Sequence, residues 1–150
     1  MKFITALLFA LIAISISSAV ADHQCGVHRC PDMHACVCEA GVFRCVFRCD
    51  DVIITQTVTR RWADNGGASP FAQVEVSVKN VGHRMVKDVT IGTVGMNLKD
   101  NNAIWGISVE DCDIHLPSYV DLAPHQTHTF GYINKGHDAA HLFVKNINLH

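Results

Sequence analysis

The chain has 150 residues, 49% of them hydrophobic and 17% charged, with a formal net charge of −2. Mild acidity without a basic stripe argues against a nucleic-acid partner or an anionic membrane surface, since both are held by clustered Lys and Arg. The length suits one domain of ordinary size plus a small appendage.

Residues 1–21 read as a secretory signal peptide. Lys2 is the positive start, Phe3 to Ile16 is a nearly unbroken apolar stretch, and Ala19-Val20-Ala21 supplies a small-x-small cleavage site. That run is short for a membrane span and lacks a basic stop-transfer flank. A mature, extracellular chain would begin near Asp22.

Six of the seven cysteines follow at once: Cys25, Cys30, Cys36, Cys38, Cys45 and Cys49. In an exported chain this density reads as a disulfide framework over residues 22–50, because so short a segment cannot bury a useful core. Spacing alone does not choose among the possible pairings. His23, His28 and His34 are interleaved with the thiols and offer a zinc alternative, but there is no clean pair of C-x-x-C arms. The C-x4-C-P-x4-C-x-C-x6-C spacing is loosely similar to small follistatin-like or EGF-like modules. Cys112 stands apart. It is either a buried thiol acting as a small hydrophobe or half of an intermolecular bridge that cross-links the protein into a matrix.

From residue 51 the pattern becomes strand, turn, strand. Asp51 to Thr59 is β-branched almost throughout. Trp62 to Pro70 has turn chemistry around Asn65-Gly66. Phe71 to Val81 alternates strictly, with Val74, Val76 and Val78 on one face and Glu75, Ser77 and Lys79 on the other. Val86 to Met96 is a further strand, in which Gly92 and Gly95 mark bulges or close approaches. Shorter candidates lie at 103–109, 113–120, 127–133 and 140–149. The spacing predicts an all-β fold: an antiparallel β-sandwich over 51–150 carrying a small disulfide-rich N-terminal module without period-two structure of its own.

Catalytic signals are sparse. No G-x-S-x-G, H-E-x-x-H or Gly-rich phosphate loop occurs. Glu110-Asp111-Cys112-Asp113 is the densest acidic cluster and could serve glycoside hydrolysis or calcium binding, against a reading of plain solvated charge. His125-x-x-His128 and His137-x-x-x-His141 could each offer two imidazoles to a metal. On strands, however, those spacings do not converge, and surface histidines are the simpler reading. No metal, cofactor or enzymatic activity is expected.

The aromatic residues are more informative. Trp62, Trp105 and Tyr119 each sit beside turn residues, where a ring end is often half exposed. Flat rings flanked by Asn, Asp and Gln suit sugars, which have apolar C–H faces and hydroxyl edges. At ~0.5–1.5 kcal/mol per ring, three such contacts give weak binding that repeated contact with a polymer makes useful. The alternative is that a Trp plugs the sandwich core.

Several of these segments together resemble a known family. Val52-Ile-Ile-Thr-Gln-Thr-Val-Thr-Arg-Arg-Trp-Ala-Asp-Asn-Gly66 and Gln73-Val-Glu-Val-Ser-Val-Lys-Asn80 are similar to the first two strands of family 49 carbohydrate-binding modules. Ile104-Trp105-Gly106, Leu116-Pro117-Ser118-Tyr119, Leu122-Ala123-Pro124-His125-Gln126 and Phe130-Gly131-Tyr132-Ile133 continue the match in order. The resemblance covers residues 51 to about 149 and leaves 22–49 untouched. That family is found at the ends of some plant endoglucanases and in secreted coat and wall proteins of amoebae and slime moulds. It implies a non-catalytic, lectin-like sandwich whose exposed rings stack on cellulose, with chitin as a further polysaccharide candidate. Carried over by position, the ligand-facing residues are Trp62, Trp105 and Tyr119, the last standing where the family commonly has Trp. Two other readings stay open: a signalling or inhibitor protein acting through the Cys-rich head, and a metal-binding or enzymatic role for the histidines and acids.

Overall fold

A computed structural model of the protein describes residues 23–31, 34–46, 51–111 and 113–150. The expected signal peptide, Cys49 and Cys112 lie outside the described residues.

The strands are β1 (His23–Cys25), β2 (His28–Cys30), β3 (Ala35–Glu39), β4 (Val42–Val46), β5 (Val52–Asp64) and β6 (Ser69–Asn80). There follow β7 (Val86–Val94), β8 (Ile104–Trp105), β9 (Ser108–Glu110), β10 (Asp113–His115), β11 (Thr127–Lys135) and β12 (His141–Leu149). A four-stranded sheet runs β5-β6-β11-β8, and a six-stranded sheet runs β4-β3-β12-β7-β10-β9. Their inner faces share one core, so the protein is a β-sandwich.

The alternation in β6 places that core. Val74, Val76 and Val78 are fully buried and meet Phe130 and Tyr132 of β11, with Val89, Ile91, Ile114 and Ile147 supplied by the opposing sheet. Each such side chain contributes about 1.5–3 kcal/mol of burial before entropy is charged against it. Polar groups inside are fully paired. Tyr132 Oη donates to Gln56 Oε1 at 2.7 Å and accepts from the Ala140 N–H at 2.9 Å, while Gln56 Nε2 donates to the Ala140 carbonyl at 2.8 Å. Asn80 Nδ2 donates to the Arg84 and Leu122 carbonyls, and its Oδ1 accepts from the Gly82 N–H. Among the described residues no buried side-chain nitrogen or oxygen lacks a partner.

The Cys-rich segment is β-structured too, contrary to expectation. β3 pairs in parallel with β12, with Val37 opposite Ile147, and Val37 is buried in the main core. Its Ala-Cys-Val-Cys-Glu sequence gave little strand signal because one apolar residue decides its inner face. The β1–β2 hairpin is tied down by Cys25–Cys36 and Cys30–Cys45, with Cα–Cα distances of 5.4 and 5.5 Å. Cys38, expected in a bridge, is half-buried and forms none within the described residues.

Two boundaries also shift. The expected loop Trp62–Pro70 shrinks to a single 3-10 turn at Asn65–Gly67, because Trp62 opposite Phe71 and Asp64 opposite Ser69 extend the hairpin. The expected strand 113–120 ends at His115, and Pro117–Val120 closes a turn through the Val120 N–H to the Pro117 carbonyl at 2.9 Å.

Candidate functional site

The outward face of the four-stranded sheet carries two of the three rings singled out from the sequence. Trp105 on edge strand β8 pairs in register with Gly131 of β11. A Cβ at position 131 would come within 2.5 Å of the indole. The glycine therefore lets the ring rest against the backbone while its other face stays open, and Trp105 is 43% exposed. Around it lies a shallow depression of about 340 Å³ lined by Thr59, Gln73, Glu75 and Thr129. An apolar plate rimmed by hydroxyl, amide and carboxylate groups matches the two surfaces of a sugar ring.

Trp62 reaches the same face by a different device. In β5, Val52, Ile54 and Val58 follow the core parity, which would point residue 62 inward. A bulge between Val58 and Arg60 shifts the register, so Arg60 faces Gln73 and Trp62 faces Phe71, both on the outer face of β6. The Trp62 and Phe71 ring centroids lie 5.6 Å apart. The Arg60 guanidinium sits 4.9 Å above Trp62, and the Lys99 ammonium lies 5.3 Å from the Phe71 ring. Trp62 is half-buried in this row, whereas Trp105 is open. Three strand spacings and four residues of register separate the two indoles, on the order of 20 Å.

Tyr119, 84% exposed, stands on the turn after Pro117. It shares a second shallow depression with Gly106 and Ile107, directly after Trp105 in the chain. The fold thus gathers Trp105 and Tyr119 at the β8 edge and sets Trp62 at the far strand. Gly131 and Arg60 were not singled out from the sequence. A glycine inside a period-two strand between Phe130 and Tyr132 was the available signal for the first.

Several of the other sequence candidates have local partners. His128 Nε2 lies 2.6 Å from the Gly106 carbonyl and fixes the turn after Trp105. His141 stacks on Phe143 at 6.0 Å. Glu110 and Asp113 face each other across β9 and β10, and Asp113 is paired with Lys145 at 2.9 Å. The single grouping of three metal-ligand atoms among the described residues is Cys25, Cys30 and Cys45, all of them committed to disulfides. Tyr132 titrates above the usual phenol range because burial disfavours its anion, partly offset by the hydrogen bond from Ala140.

Residues 52–136, from β5 to the end of β11, match the family described as carbohydrate binding domain CBM49. The chain belongs to that family. Two similar proteins, Stalk-specific protein B and Stalk-specific protein A of Dictyostelium discoideum, are 31% and 30% identical, each over 99% of both chains. No solved structure matches the chain. The CBM49 match includes Trp62, Trp105 and Tyr119 and stops short of β12. The relatives extend the likeness over the disulfide-bridged β1–β4 segment as well.

Proposed function

We propose that the protein is a secreted, non-catalytic polysaccharide-binding protein that holds cellulose, a β-1,4-glucan, in an extracellular wall or coat. The observation that carries this reading is the Trp105 indole resting on Gly131, with its free face turned to solvent inside a polar rim. Tyr119 extends the contact around the β8 edge, and Trp62 adds to it once the Arg60 side chain swings aside. A glucan is preferred to a charged polymer because the open ring is flanked by Gln73, Thr59 and Thr129 and by a single carboxylate, Glu75. Membership of CBM49 and likeness to two stalk-specific proteins support an extracellular binding role.

Retention of the full chain on microcrystalline cellulose, with chitin beads alongside, tests the reading. Trp105→Ala is expected to weaken retention about two- to tenfold, the worth of one stacked ring. Trp62→Ala should weaken it less. If folded Trp105→Ala protein is retained as well as wild type, the reading fails. Preference for chitin would keep the site and change its polymer.

A further inference from the structure

The six-stranded sheet repeats, on the opposite side of the molecule, the device that presents Trp105. Phe143 of β12 pairs in register with Gly92 of β7. A Cβ at position 92 would fall 2.3 Å from the tip of the Phe143 ring, so the ring lies across β7 only because the residue beneath it is glycine. The His141 ring lies next to that of Phe143, with centroids 6.0 Å apart and ring planes 25° from parallel. Ile114 pairs with Ile91, which brings Asp113 next to Gly92, and the Asp113–Lys145 ion pair borders the ring on that side. Among the described residues the β1–β2 hairpin borders this face, with His23 Nε2 3.1 Å from the Lys145 carbonyl. Phe143 remains half-exposed and His141 exposed.

We infer that this plate, Phe143 and His141 over Gly92, is a second polysaccharide contact, smaller than the first, for another chain of the same glucan. The inference rests on the reading of Trp105 as a sugar platform. What argues for the same occupant is the identical construction: an aromatic ring laid on a strand glycine, one face free, polar groups at its rim. The two plates are on outer faces of sheets packed back to back, about 10 Å apart through the core. They point in opposite directions, so a single extended glucan cannot lie on both. A molecule occupied on both sides joins two chains. Binding becomes bridging.

Two measurements test this on the full chain. The first titrates cellohexaose into isotope-labelled protein and follows backbone amides. Shifts at Gly131 and, at higher sugar concentration, at Gly92 and Val94 are expected in the wild type, with no substitution needed. The second mixes protein with a dilute suspension of cellulose nanocrystals and follows turbidity. Wild type should bundle the crystals, and Phe143→Ala should stay bound to them without bundling. His141→Ala, an exposed and milder change, should reduce bundling in part. Saturating shifts confined to the Gly131 side, or bundling by Phe143→Ala equal to wild type, overturn the second site and leave the first intact. If Trp105→Ala changes neither retention nor the Gly131 shifts, the earlier reading fails instead.

Discussion

The cysteine-rich head and the sandwich bury their chains by different means. In the sandwich, apolar side chains from two sheets fill a shared interior, and Tyr132, Asn80 and Gln56 close the polar gaps. In β1–β4, β3 and β4 extend the six-stranded sheet beyond β12, and the small β1–β2 hairpin is tied to them by two disulfides. Only Val37 of that segment reaches fully into the main core. A short segment can thus be ordered by sulfur and by one borrowed strand position, whereas the sheet faces need period-two sequence along their length.

If that contrast is right, damage should spread from the core to the head but not the other way. The largest effect is expected for Phe130→Ala, which empties the centre of the sandwich and should cost about 3–5 kcal/mol in denaturant unfolding. The head should lose protection with it, because β3 depends on β12. Replacing Cys30 and Cys45 by Ala removes one bridge and should cost about 2–4 kcal/mol. Hydrogen exchange should rise in β1, β2 and β4 while β6 and β11 amides stay protected; equal loss in β6 would break the contrast.

Smaller changes sharpen it. Tyr132→Phe strands Gln56 Oε1 and the Ala140 N–H and should cost about 1–3 kcal/mol. Its pH dependence is the clearer signature. The folded state holds the phenol neutral to a higher pH than the unfolded chain, which ionises near the ordinary value of about 10. Wild-type stability is therefore whole below that value and falls as pH rises through the folded pKa, and Tyr132→Phe should flatten this decline. The least costly change is Gly131→Ala, about 1 kcal/mol or less for a substitution that only moves a surface ring. It should nevertheless displace Trp105, visible as altered Trp fluorescence and reduced retention on cellulose.

The sandwich was legible wherever one strand faces both core and solvent. Val74, Val76 and Val78 announce β6 without help, and Gly92 is a close approach as its place in a strand implied. Three things were not legible, because each is decided by how segments come together rather than by residue type. Val37 is buried by Ile147, which lies near the far end of the chain. Trp62 looks like a loop residue until Phe71 is seen opposite it, and its outward direction depends on a bulge that no local residue type demands. The rings could be named from their turn-flanked positions, but whether a ring is open or capped could not. That turns on Arg60 over Trp62 and on the absence of a side chain at Gly131.

The parallel pairing of β3 with β12 also sets an order of assembly. The two head disulfides close loops of 11 and 15 residues and can be made from the first part of the chain alone. The neighbour that β3 needs lies at residues 146–149, far later in the chain and beyond every other strand of the sandwich. Contacts this distant close late, because the intervening chain must first give up its freedom. The head must then wait as a bridged but undocked fragment until β12 arrives. Truncating the chain before β12 would leave it without a sheet to join.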